Sequence, residues 1–88
     1  MMRNSQEILT DLKRLGFNFR VRKQTKHYKN SLEIYYDREW YFTGDRDDNL
    51  MIWAIVRTKL RDIGYSTRDL TMARQVIIAN AEHTTQSN

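Results

Sequence analysis

At 88 residues, the chain is sized for one domain and only marginally able to bury a core. Its 40% hydrophobic and 11% aromatic content excludes global disorder, and its lack of cysteine excludes a disulfide framework or a thiolate metal site. The net charge of +4 is unevenly spread, with +6 over residues 1–30, −4 over 31–50 and +2 over 51–88.

Asn4 or Ser5 is placed to cap a first helix, and Glu7 puts negative charge near its positive end. Ile8, Leu9, Leu12 and Leu15 recur at helical spacing, and Gly16 follows where a left-handed cap residue is expected. A short amphipathic helix over Ser5–Leu15 is predicted. The period then switches to two. Phe17, Phe19 and Val21 fall on one face of a strand, with Asn18, Arg20 and Arg22 on the other. Residues 23–31 are polar and aperiodic, and read as a basic loop. Leu32–Tyr36 resumes alternation, Asp37-Arg38-Glu39 turns, and Trp40-Tyr41-Phe42 forms a third, aromatic strand. These three strands make an antiparallel meander.

Asp45 is a candidate N-cap for the next helix, with Asp47 and Asp48 in its first turn. From Leu50 to Ile63 the spacing predicts a helix burying Trp53, Val56, Leu60 and Ile63, with Arg57 and Arg61 four apart on its outside. The apolar run Met51–Val56 also fits a buried strand, but the pattern continues to Gly64 and favours helix. Ser66-Thr67-Arg68-Asp69 resembles a capping box, and Leu70, Ala73, Val76, Ile77 and Ala81 line the inward face of a last helix over Thr67–Glu82. Residues 84–88 read as a polar, disordered tail beyond a single compact domain of residues 1–83. The fold class is α+β, in the order α-β-β-β-α-α, with helices on one face of a small three-stranded antiparallel sheet.

The basic band is the leading candidate site. Lys/Arg side chains neutralise phosphates, and an aromatic stacks on an unpaired base. Arg20, Arg22, Lys23, Lys26 and Lys29 are the expected phosphate contacts, Tyr28 the stacking ring, and Lys13 and Arg14 join if the first helix packs beside the strand. A solubilising surface is the plainer account of the same residues. Tyr35, Tyr36, Trp40, Tyr41 and Phe42 could make a stacking platform, but Glu33, Asp37 and Glu39 lie among them, and core packing with cross-strand pairing is the preferred explanation. Helix–Gly64–helix invites a helix-turn-helix, with Thr67–Arg74 opening the recognition helix and Arg68 and Arg74 reaching the nucleic acid; an ordinary helical hairpin is the default. Asp45-Arg46-Asp47-Asp48 lacks the ligand spread of a calcium loop, and His27 and His83 lack zinc spacing. No catalytic motif, metal site or cofactor motif is present.

The residues Leu32-Glu33-Ile34-Tyr35-Tyr36, Trp40-Tyr41-Phe42, Asp47-Asp48, Leu60-Arg61-Asp62-Ile63-Gly64 and Leu70–Ala73 form a pattern over about half of the chain. It resembles the segment ahead of the ATPase module in phage and island primase-helicases of the virulence-associated protein E type. The Gly-rich Lys-Ser/Thr loop that binds ATP phosphates is absent, as is a primase metal site. The resemblance implies a free-standing relative of an accessory domain, in mobile-element DNA replication, and supplies no functional residue.

The expected function is that of a small non-enzymatic phage or mobile-element protein contacting DNA or RNA in replication or its control. The alternative is a protein-binding inhibitor or adaptor of the anti-defence or host-takeover type, such as an anti-CRISPR, working through its acidic 33–48 surface. The longest apolar run, Leu50–Val56, is far shorter than the ~20 residues that cross a bilayer. Polar residues follow Met1-Met2-Arg3, with no secretory pattern. A cytoplasmic location and no membrane partner are expected, and the edges of a short sheet leave room for a homodimer.

Overall fold

The computed structural model describes residues 3–22, 31–43 and 50–86. Helix α1 spans Ser5–Arg14, β1 Asn18–Arg22, β2 Ser31–Tyr36, β3 Glu39–Phe42, α2 Leu50–Asp62 and α3 Thr67–Gln86. The element order and the α+β class are those expected. All three strands are antiparallel, in the order β1-β2-β3.

The helix ends have local causes. Asn4 is the N-cap of α1; its Oδ1 accepts from the Glu7 N–H at 2.9 Å, and its Nδ2 donates to Glu7 Oε1 at 2.9 Å. At the other end Gly16 has φ +96°, and the N–H groups of Gly16 and Phe17 donate back to Lys13 and Leu12. Helix α2 ends the same way, with Gly64 at φ +98° and the N–H groups of Gly64 and Tyr65 donating to Arg61 and Leu60. Both are Schellman caps, which need a left-handed residue that glycine adopts without strain. Ser66 and Asp69 form the expected reciprocal box. The Asp69 N–H donates to Ser66 Oγ at 3.2 Å, and the Ser66 N–H to Asp69 Oδ2 at 3.3 Å.

The core contains Ile8 and Leu12 from α1, Phe17 ahead of β1, Phe19 from β1, Ile34 from β2, Ile52, Trp53, Val56 and Leu60 from α2, and Leu70, Ala73, Val76, Ile77 and Ala81 from α3. Helix α3 is the central element, packing against β1, α1 and α2. The sheet register puts Phe19, Ile34 and Tyr41 in one row, and Phe17 stacks on Tyr36 with ring centroids 4.8 Å apart. The helices therefore meet this face of the sheet alone among the described residues.

Several sequence expectations change, among them Ser31 and Glu39, which open β2 and β3 rather than belonging to the loop and the turn. Ile63 is 43% exposed, because α2 stops at Asp62 and the Gly64 cap turns the chain away; Tyr65, 5% exposed, enters the core instead. Helix α3 continues to Gln86, past the predicted Glu82, since no Gly or Pro interrupts the sequence there. The β2–β3 turn is Asp37-Arg38, with φ +51° and +71°, the left-handed pair a two-residue hairpin of type I′ needs. Arginine is a strained occupant of such a position.

A polar network closes the helical end of the domain. The Tyr65 hydroxyl donates to Asp11 Oδ2 at 2.6 Å, the Arg3 guanidinium lies 4.1 Å from the Tyr65 ring centre, and Arg3 Nη1 bonds Asp69 Oδ2 at 2.8 Å. Burial and the bond to Asp11 push the Tyr65 hydroxyl above its ordinary pKa. The Arg3 backbone N–H, with Ser66 and the Arg3 side chain behind it, holds Asp69 below the usual carboxylate range despite its desolvation.

Candidate nucleic-acid interface

The strand band, read from sequence as the working surface, has a structured and an undescribed part. Lys23, Lys26, Tyr28 and Lys29 lie outside the described residues, as do His27 and the acidic run 45–48. Arg22 pairs with Ser31 at the end of the β1–β2 ladder, and its side chain is likewise not described. Lys13 and Arg14 are exposed in the last turn of α1, a helix that packs chiefly against α3.

Arg20 is the member whose surroundings are fully drawn. It sits opposite Glu33 in the β1–β2 register, and its Nε donates to Glu33 Oε1 at 2.8 Å. The guanidinium lies 3.9 Å from the centre of the Trp40 ring. Its side chain is still 48% exposed, whereas that of Glu33 is 8% exposed. The buried Glu33 side chain thus has a cation as its partner, and one face of the Arg20 charge is engaged by it.

The same register settles the aromatics. Cross-strand partners share a face, so Asn18, Tyr35 and Trp40 form one row and Arg20, Glu33 and Phe42 the next, on the side away from the helices. Tyr35 and Trp40 meet edge to face with centroids 5.3 Å apart, and Phe42 is 39% exposed. None of these three belongs to the core or packs against it, whereas Tyr36 and Tyr41 do. Core packing, the preferred explanation, therefore holds for Tyr36 and Tyr41, and cross-strand pairing for Tyr35 and Trp40.

A second basic cluster lies between α2 and α3. Trp53, Val56, Leu60, Leu70 and Ala73 floor a groove of about 270 Å³, rimmed by Arg57 and Arg61 from α2 and by Thr67, Thr71 and Arg74 from α3. All three arginines are exposed, and among the described residues none is ion-paired. Arg74 lies over Trp53, 4.9 Å from the ring centre, which holds its head at the groove. The Thr71 hydroxyl donates to the Thr67 carbonyl at 3.2 Å, which leaves the arginines as the groove's charged donors to an anion. Arg57 and Arg61 are four apart, and Thr67, Thr71 and Arg74 recur at i, i+4 and i+7. The sequence places Arg57 and Arg61 on the outer side of α2, and offers Arg74 to a recognition helix only in the helix-turn-helix reading, against the default of an ordinary helical hairpin. The i, i+4 spacing was the available signal; that the two sets rim one groove depends on how the helices cross.

Among the described residues, no three His, Asp or Glu side chains converge as a metal site, and no helix is long and apolar enough to cross a membrane. No family model, curated protein or solved structure matches the chain.

Proposed function

We propose that this protein is a small non-enzymatic accessory protein that binds nucleic acid, in phage or mobile-element DNA replication or its control. The carrying observation is the groove between α2 and α3, which Arg57, Arg61 and Arg74 rim together, none of them ion-paired among the described residues. Guanidinium is suited to phosphate because it is always charged and presents donors in a planar fork. The apolar floor below leaves such contacts less exposed to competing water than contacts on a flat surface. Support also comes from the overall charge of +4 and from the resemblance to a replication accessory segment. Phage or mobile-element origin rests on that resemblance.

The acidic-surface alternative loses part of its working set, since Glu33 is buried and bonded to Arg20. Asp37 and Glu39 remain exposed. Fluorescence anisotropy with short single- and double-stranded DNA and RNA across a salt series tests the reading. Three phosphate contacts give a slope of log affinity against log salt of about −2 to −3. Absence of binding to every strand at low salt would sink the proposal and send attention to protein partners.

A further inference from the structure

The outer sheet face is a second surface of different chemistry. Among the described side chains its rings are Tyr35, Trp40 and Phe42, its cation is Arg20, and its acid, Glu33, is 6% exposed. Arg20 is held in a fixed attitude. Glu33 grips its Nε at 2.8 Å, and Trp40 backs the guanidinium at 3.9 Å. A guanidinium backed by an indole, with half of the Arg20 side chain open to solvent, is a preassembled stacking step. Planar, electron-rich groups stack on such a step, and unpaired nucleobases do so without regard to their identity.

Resting on the nucleic-acid reading above, we infer that this face takes unpaired bases: one base stacks on the Arg20–Trp40 pair, with Tyr35 and Phe42 beside it. Charge decides which part of the strand lies here. Arg20 is engaged on one face by Glu33, and Asp37 and Glu39 lie exposed at the hairpin. The face is thus a poor phosphate site and a good site for a neutral ring next to a cation. The phosphates fall to cations elsewhere. A duplex hides its base faces and gains nothing from this surface, so the protein prefers single strands.

The test compares three dye-labelled probes of equal length by anisotropy at low salt: an oligothymidylate, an abasic strand with the same phosphates, and a duplex. The oligothymidylate is expected to bind on the order of 10-fold or more tighter than the abasic strand. Arg20→Lys, which keeps the charge beside Glu33 and removes the plane, and Phe42→Ser, at an exposed position, should each shrink that difference. Abasic and duplex binding should stay unchanged in both. Equal affinity for oligothymidylate and abasic strand overturns the inference, leaves the nucleic-acid reading standing, and assigns the face to a protein partner. A difference that persists undiminished in both folded variants also overturns it. Failure of all three probes to bind removes the nucleic-acid reading itself.

Discussion

Arg20 on the sheet and the arginines of the helical groove have the same side chain in opposite electrostatic settings. Arg20 lies in the densest basic stretch of the chain, yet its charge is engaged by Glu33, thirteen residues away in sequence and directly across the ladder. Arg57, Arg61 and Arg74 come from a stretch whose net charge is only +2, yet among the described residues they face no carboxylate. Arg3 repeats the first case, since Asp69 engages it across sixty-six residues. Charge density along a chain measures what is present. Charge available to a ligand depends on what the fold sets opposite each group.

The largest expected effect separates the two regions directly. Replacing Arg57, Arg61 and Arg74 together by Gln should lower nucleic-acid affinity on the order of 100-fold and flatten the salt slope by about 2 to 3. Circular dichroism should be unchanged. Retained affinity and slope would return the phosphate contacts to the strand band.

Next comes stability, where the order of the regions reverses. Arg20→Met leaves Glu33 buried beside no cation and should cost about 1–3 kcal/mol in urea unfolding, discounted for the exposure of Arg20. The double change Arg20→Met, Glu33→Met should recover most of that loss, because both polar groups leave together. Each single groove change to Gln should stay within about 0.5 kcal/mol. A neutral Arg20→Met would show that ion pairing is not what distinguishes the regions.

The smallest effect is a pH dependence at the other engaged cation. Asp69 titrates below its ordinary range in the folded protein, so its contribution is fully present above the unfolded value of about 4. That contribution is lost as pH falls from there through the folded value. Thermal melts of Asp69→Asn between neutral and strongly acidic pH should show a shallower acid slope than the parent. Identical slopes would mean that Arg3 and Ser66 do not stabilise the carboxylate.

Local features were readable from the residues because their causes are local. Gly16 and Gly64 end helices where only a left-handed residue fits, and Ser66 with Asp69 announces the start of α3. The alternation of Phe17, Phe19 and Val21 identified the buried strand face, and Leu70, Ala73, Val76, Ile77 and Ala81 the inward side of α3. Ile63 departs from the pattern because the Gly64 cap, four residues beyond Leu60, overrides helical periodicity. The candidate site was less legible. Arg20 is legible as a cation, but Glu33 reads as an acid among the aromatics and the start of the acidic 33–48 surface rather than as its partner, since nothing in the chain states the register. Arg57 and Arg61 were visible as a pair, but their convergence with Arg74 was not.

By itself, then, the sequence determined the elements, their order, the caps at Asn4, Gly16, Gly64 and Ser66 and most of the buried positions, because turn chemistry and hydrophobic period act over a few residues. Only the tertiary structure decided which charges cancel and which converge. Those outcomes rest on strand register and helix crossing, which join residues with no neighbourhood in the chain, as Arg20 joins Glu33 and Arg3 joins Asp69.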